Sequence, residues 1–141
     1  MYNFRELNKT DNYKIYSNLL NQLSECNINK SQFQSFINNL DDNHIVIIVY
    51  STLDNYIVGS GTLTIENKLI HNCGKVGHIE DIIIDKNHKG KSLGSKLIEY
   101  LKNISIQKGC YKTILNCDDK LCPFYEKNGF IKHSIQMRID H

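Results

Sequence analysis

One junction constrains this chain more than any other feature. Gly77 to Asp85 carries Ile79, Ile82, Ile83 and Ile84. It is followed by His88-Lys89-Gly90-Lys91-Ser92-Leu93-Gly94, after which Leu93, Leu97, Leu101 and Ile104 recur at helical spacing. Dense β-branched runs pack as strands, and apolar residues three and four apart make one helical stripe. The pattern predicts a strand, a short glycine-bearing loop and a helix. A helix N-terminus leaves backbone N–H groups unpaired and carries partial positive charge, which suits a phosphate or pyrophosphate. Gly90 allows close backbone approach, and Lys89 and Lys91 add charge. On spacing alone, a turn at Gly90 and a packing contact at Gly94 account for the same glycines. The loop is neither a Walker motif nor a dinucleotide fingerprint.

The rest of the chain supplies the elements around this junction. Tyr2 to Arg5 reads as a first strand. Asp11 is a candidate cap for a helix with Ile15, Leu19, Leu20 and Leu23, and Ser31 for one with Phe33, Phe36, Ile37 and Leu40. Ile45–Tyr50 and Ile57–Glu66 read as a hairpin turned at Asp54-Asn55. Tyr111–Cys117 reads as a strand, Leu121–Asn128 as a short helix with Pro123 in its first turn, and Phe130–Ile139 as a last strand. The expected order is β-α-α-β-β-β-α-β-α-β, a mixed α/β sheet flanked by helices.

Length and composition bound the function. The 141 residues, 40% apolar and 23% charged, fit one globular domain spanning 1–141. A net charge of +2 is far from the basic balance of a nucleic-acid-binding domain, and no membrane partner is expected. Five cysteines, an odd number without a CxxC pair, argue against a secreted disulfide framework. No run approaches the ~18 apolar residues of a membrane span, and the first residues have no apolar leader. A reducing, cytoplasmic setting with free thiols is expected. No His/Cys/Asp group has ligand spacing, so no metal is implied.

Lys89-Gly90-Lys91-Ser92-Leu93-Gly94 resembles the (Arg/Gln)-x-x-Gly-x-(Gly/Ala) coenzyme A loop of GNAT acetyltransferases, with lysine in place of the usual Arg or Gln. Four further blocks are similar to the glucosamine 6-phosphate N-acetyltransferases of that superfamily. They are Ile65–His71, Gly77–Ile82, Cys110–Asp118 and Phe124–Phe130, in the right order. The resemblance implies a GNAT fold with splayed central strands, acetyl-coenzyme A as co-substrate and a homodimer with shared active sites. It implies direct attack of the glucosamine 6-phosphate amine on the thioester, on the route to UDP-N-acetylglucosamine.

The resemblance also implies residue roles. The backbone of Ile82, Ile83 and Ile84 would pair with the pantetheine arm, and an N–H near Ile82 would hold the oxyanion. Lys89, Gly90, Lys91, Ser92, Leu93, Gly94 and Ser95 would hold the pyrophosphate. The Tyr125 hydroxyl would assist the leaving thiolate. Glu80 and Asp81 would meet the sugar and its amine; strand alternation sets their side chains on opposite faces. Lys68, Leu69, Ile70 and His71 would line the sugar phosphate site, with Ser24 contacting the sugar. Two positions depart from the pattern. Asn116 stands where relatives carry Asp or Glu, and it accepts a hydrogen bond but takes no proton. The expected C-terminal arginine position falls near Asp140, with Arg138 two residues earlier on the same expected strand face. These departures keep two other readings open: a GNAT enzyme for another small amine, and a binding module that holds acetyl-coenzyme A without turnover.

Overall fold

The computed structural model describes residues 1–141. The chain runs β1 (Tyr2–Glu6), α1 (Tyr13–Leu20), α2 (Lys30–Asn38), β2 (His44–Ser51), β3 (Tyr56–Asn67), the single turn α3 (Ile70–Cys73), β4 (Lys75–Ile84), α4 (Leu93–Gln107), β5 (Cys110–Leu115) and α5 (Cys122–Lys127). The five strands form one sheet in sequence order. Every neighbouring pair is antiparallel except β4 with β5, which is parallel. This is the mixed, mostly antiparallel sheet expected from the sequence.

The run Ile45–Val49 explains the layering. Successive strand side chains point to opposite faces, so a strand that is apolar at every position must be covered on both. Ile45, Ile47 and Val49 join the cluster under α4, with Leu93, Leu97, Ile98 and Leu101. Val46 and Ile48 join Tyr16, Leu19 and Phe33 under α1 and α2. Each fully buried Leu or Ile contributes about 1.5–3 kcal/mol relative to exposure. Tyr16 also shares a 2.9 Å hydrogen bond with Ser60, which ties α1 to β3. Burial pushes its phenol up to about 12, so it is a neutral fastener.

α4 lies close to β4 because small residues meet there. A Cβ on Gly77 would collide with Ser105 Oγ, which accepts a 2.7 Å hydrogen bond from Thr113. Gly77→Ala is therefore expected to lower unfolding free energy by about 1–3 kcal/mol, the usual range for overpacking a tight contact. A urea titration would read this as an earlier midpoint at unchanged slope.

The structure corrects the sequence reading in several places. Asn12 caps α1, accepting from the N–H groups of Lys14 and Ile15. Asp11 instead makes a bidentate pair with Arg5, at 2.6 and 2.9 Å. Asn29 caps α2 in a reciprocal box with Gln32, in place of Ser31. α1 stops at Leu20, and a turn carries the chain through Ser24. The last strand expected at Phe130–Ile139 does not form, and residues 130–141 are in neither helix nor sheet. Ile131, Ile135, Met137 and Ile139 are 79–91% exposed. Their alternation is that of a strand, but a strand forms only where its N–H and C=O groups pair with a neighbour, and this segment pairs with no edge of its own chain, the free outer edge of β5 included.

Candidate active site

The site begins where β4 leaves β5. The two strands pair from Lys75 to Ile79 and no further. From Glu80 to Ile84, β4 keeps its partner β3 on one side and presents an unpaired backbone edge on the other. At the same point the β3–β4 register slips: Thr62 faces Glu80 while Ser60 faces Ile83, so Gly61 alone opposes Asp81 and Ile82. This is a β-bulge. Asp81 occupies it with φ of 54°, the left-handed region that a non-glycine residue enters only when its surroundings hold it there. The bulge overrides the alternation expected for Glu80 and Asp81. Both side chains are exposed and neither is paired within the chain.

The unpaired edge leads to the start of α4. Lys86–His88 forms a tight turn, Gly90 has φ of 81°, and Ser92 precedes the helix in the left-handed conformation with φ of 58°. The Ser92 side chain caps nothing. The first intrahelical bond comes from the Lys96 N–H to Ser92 O, which leaves the N–H groups of Leu93, Gly94 and Ser95 available. Lys89 is exposed and unpaired. Lys91 donates to the Tyr2 hydroxyl at 3.1 Å, and that bond raises its pKa.

Sequence reasoning missed what holds this loop. His88 is 5% exposed. Its Nε2 donates to Asp54 Oδ2 at 2.9 Å, and its Nδ1 lies 3.5 Å from Asp85 Oδ1. Ser51 first, then His88, holds the Asp54 carboxyl below its usual range. Burial would raise the Asp85 carboxyl, but the Asn87 N–H, Gln22 and His88 together lower it. Gln22 binds Asp85 and also accepts from the Lys86 N–H, both at 3.0 Å. The glycine loop is thereby tied both to the β2–β3 turn and to the end of α1. No spacing rule signals this network; its members lie up to 66 residues apart (88 minus 22).

α5 closes the site. Gly94 sits where a Cβ would lie 3.2 Å from Phe124 and 4.0 Å from Ile84, so β4, α4 and α5 converge on it. Tyr125 packs edge-on between Phe124 and Phe130, at 5.0 and 6.0 Å between ring centroids. Burial first, then the nearby Cys117, raises its phenol pKa, and no hydrogen bond opposes the shift. It is a protonated donor at neutral pH. Asn116 follows β5 and is exposed.

The expected sugar-side residues are only partly assembled. Lys68 pairs with Glu66 at 3.2 Å, and His78 binds the same carboxylate at 3.0 Å. His78 first, then Lys68, lowers that carboxyl's pKa. His71, Asn72 and Cys73 are all left-handed, with φ of 53–60°. The turn they make stacks the His71 ring on Tyr111 at 4.2 Å, while Leu69 and Ile70 stand 88% and 64% exposed. Ser24 is exposed in the turn after α1. Arg138 bonds Asp140 at 2.6 Å on the unpaired C-terminal segment and is not brought to the other residues.

The sequence profile of the Acetyltransferase (GNAT) family matches residues 4–130. This chain belongs to that family. Among its relatives, glucosamine 6-phosphate N-acetyltransferase 1 of Dictyostelium discoideum is 43% identical over 139 residues, covering 96% of this chain and 88% of that protein. The crystal structure of glucosamine-6-phosphate N-acetyltransferase from Arabidopsis thaliana superposes with a TM-score of 0.95 at 34% identity, covering 99% and 98% of the two chains. A Trypanosoma brucei acetyltransferase structure gives 0.93 at 34% identity, with both chains fully covered. In this GNAT chain the Lys86–His88 turn joins the unpaired β4 edge to the glycine loop that opens α4. No helix is long and apolar enough to cross a membrane.

Proposed function

We propose that the protein transfers the acetyl group of acetyl-coenzyme A to the amine of D-glucosamine 6-phosphate. The products are N-acetylglucosamine 6-phosphate and free coenzyme A, formed by direct attack in a ternary complex. One observation carries the reading: the unpaired β4 edge from Glu80 to Ile84 is followed, through the loop of residues 85–92, by the uncapped N-terminus of α4. An extended amide-bearing arm pairs with such an edge as an added strand. A pyrophosphate suits the free N–H groups beyond it. The similarity to relatives named for this reaction, at 35–43% identity over most of the chain, supports the acceptor.

Each group then has a task. A backbone N–H at the bulge, at Ile82, stabilises the tetrahedral oxyanion. Glu80 and Asp81, both exposed and unpaired, orient the sugar and its amine. Asn116 accepts a hydrogen bond from the amine, and the proton leaves through a carboxylate or water. Tyr125 donates to the departing sulfur. Lys68 and His71 attract the sugar phosphate, Leu69 and Ile70 line its site, and Ser24 contacts the sugar.

The reading includes a homodimer. The strand-like alternation of residues 131–139 is paired with no edge of its own chain, and Leu69, Ile70 and Tyr111 expose apolar surface. A second copy supplies both an edge and a cover, and brings Arg138 toward the partner's sugar phosphate. The setting is cytoplasmic, on the route to UDP-N-acetylglucosamine. Asn116 and Asp140 favour a second reading, the same chemistry on another small amine.

Thiol release from acetyl-coenzyme A tests this, with glucosamine 6-phosphate, unphosphorylated glucosamine and a panel of amines as acceptors. Release that requires the phosphate supports the first reading. Release only with another amine supports the second, and coenzyme binding with no release overturns both. The loop has its own check. Gly90 has φ of 81° and open space around it, so Gly90→Ala adds only left-handed strain, about 1–2 kcal/mol. KM for acetyl-coenzyme A is expected to rise about tenfold, the equivalent of 1.4 kcal/mol, with kcat and KM for the acceptor unchanged.

A further inference from the structure

Two sulfurs meet beside Tyr125 with no part in the chemistry above. Cys117 Sγ and Cys122 Sγ are 3.8 Å apart. Cys117 is exposed on the loop after β5, and Cys122 is half-buried as the first residue of α5. The turn Asp119–Leu121 folds the chain so that the two face each other, with the Cys122 thiol 3.9 Å from Asp118 O. Cys26, Cys73 and Cys110 have no sulfur neighbour.

We propose that Cys117 and Cys122 form a redox-modification site, at which a peroxide converts the dithiol into an intramolecular disulfide that reversibly switches acetyl transfer off. The exposed Cys117 thiolate attacks a peroxide oxygen. The O–O bond breaks, giving a sulfenic acid and water once the leaving hydroxide takes up the thiol proton. The Cys122 sulfur then attacks the sulfenic sulfur, the S–S bond forms and a second water leaves. Two thiols and one peroxide become one disulfide and two waters. A dithiol reductant reverses the bond by exchange.

Disulfide sulfurs lie about 2.05 Å apart, so the pair must close further. The movement falls on an exposed loop residue and on the first residue of α5. Cys122 and Tyr125 stand three apart on that helix and share a face, so pulling Cys122 displaces the phenol. Displacements of about 1 Å at a reacting group can cost 10²-fold in rate. Burial first, then Cys122, Asp118 and Asp119, holds the Cys117 proton on, while the Tyr125 phenol is the other titrating neighbour. The thiolate fraction is small at neutral pH and grows as pH rises, so the bridge forms under sustained oxidation and faster in alkali.

The bond itself does not depend on the acceptor; the switch rests on the Tyr125 reading. The full-length protein is treated with graded hydrogen peroxide, alkylated and mapped by peptide mass, while loss of the acetyl-coenzyme A thioester gives the rate. The expected result is a Cys117–Cys122 cross-linked peptide with a rate fall of at least about tenfold, restored by dithiothreitol. Cys122→Ser and Cys117→Ser keep their activity at the same dose. Absence of the cross-link while other cysteines oxidise overturns the proposal. So does equal inactivation of the wild type and the serine variants. A cross-link without rate loss sinks the switch, and a separate defect in Tyr125→Phe would then leave the Tyr125 role standing.

Discussion

Replacing Tyr125 by phenylalanine is expected to lower kcat by about 30- to 100-fold without disturbing the fold. The ring keeps its contacts with Phe124 and Phe130, so thermal stability should be unchanged. What is lost is the hydroxyl. A thiol has a reference pKa of about 8.5 and a phenol about 10, and burial raises the Tyr125 phenol further. Complete proton transfer to the thiolate is therefore uphill by more than about 2 kcal/mol. In the proposed mechanism the hydroxyl would instead act by donating a charge-assisted hydrogen bond as the sulfur gains charge. Such bonds contribute about 1.5–3 kcal/mol, which sets the expected loss. Steady-state kinetics with saturating acetyl-coenzyme A would measure it. A fall of less than about threefold, under 1 kcal/mol, would remove Tyr125 from the reacting groups.

Leu101→Ala is expected to lower unfolding free energy by about 3 kcal/mol, within the range for truncating a fully buried leucine. Leu101 is 0% exposed and sits in the cluster that joins α4 to the sheet. Its Cδ1 lies 3.0 Å from where a Gly61 Cβ would stand, so the helix rests directly on the backbone of β3. Neighbouring side chains are fixed by their own packing and refill such a hole only in part. For a chain of this size the midpoint temperature should drop by about 10 °C. Leu101 lies two turns beyond the loop that opens α4, so KM for acetyl-coenzyme A, measured well below the new midpoint, should not change. Loss of stability with an altered KM would mean that the helix position itself shifts.

Much of this architecture was legible as periodicity. The β-branched run Ile45–Tyr50 predicts a strand, and Leu93, Leu97, Leu101 and Ile104 predict one helical stripe. Glycines 109 and 129 sit at helix ends with φ of 84° and 93°. The helix starts were less legible, because asparagine, aspartate and serine all cap helices. Asn12 and Asn29 took the roles read for Asp11 and Ser31 once Arg5 had claimed Asp11.

The sequence by itself determined the alternation of strands and helices, the glycine loop before α4 and the family. Each is written in spacings of a few residues along one segment, where backbone geometry leaves few choices. Only the tertiary structure decided the rest. The bulge that turns Asp81 depends on how β3 and β4 align. The edge left open from Glu80 depends on where β5 stops. The His88 tether joins residues from three separate segments, and the Cys117–Cys122 pair depends on how one turn folds back. The C-terminal segment has the alternation of a strand but is paired with no edge. Pattern states what a segment can become, and the pairing of its backbone groups with a neighbour decides whether it does.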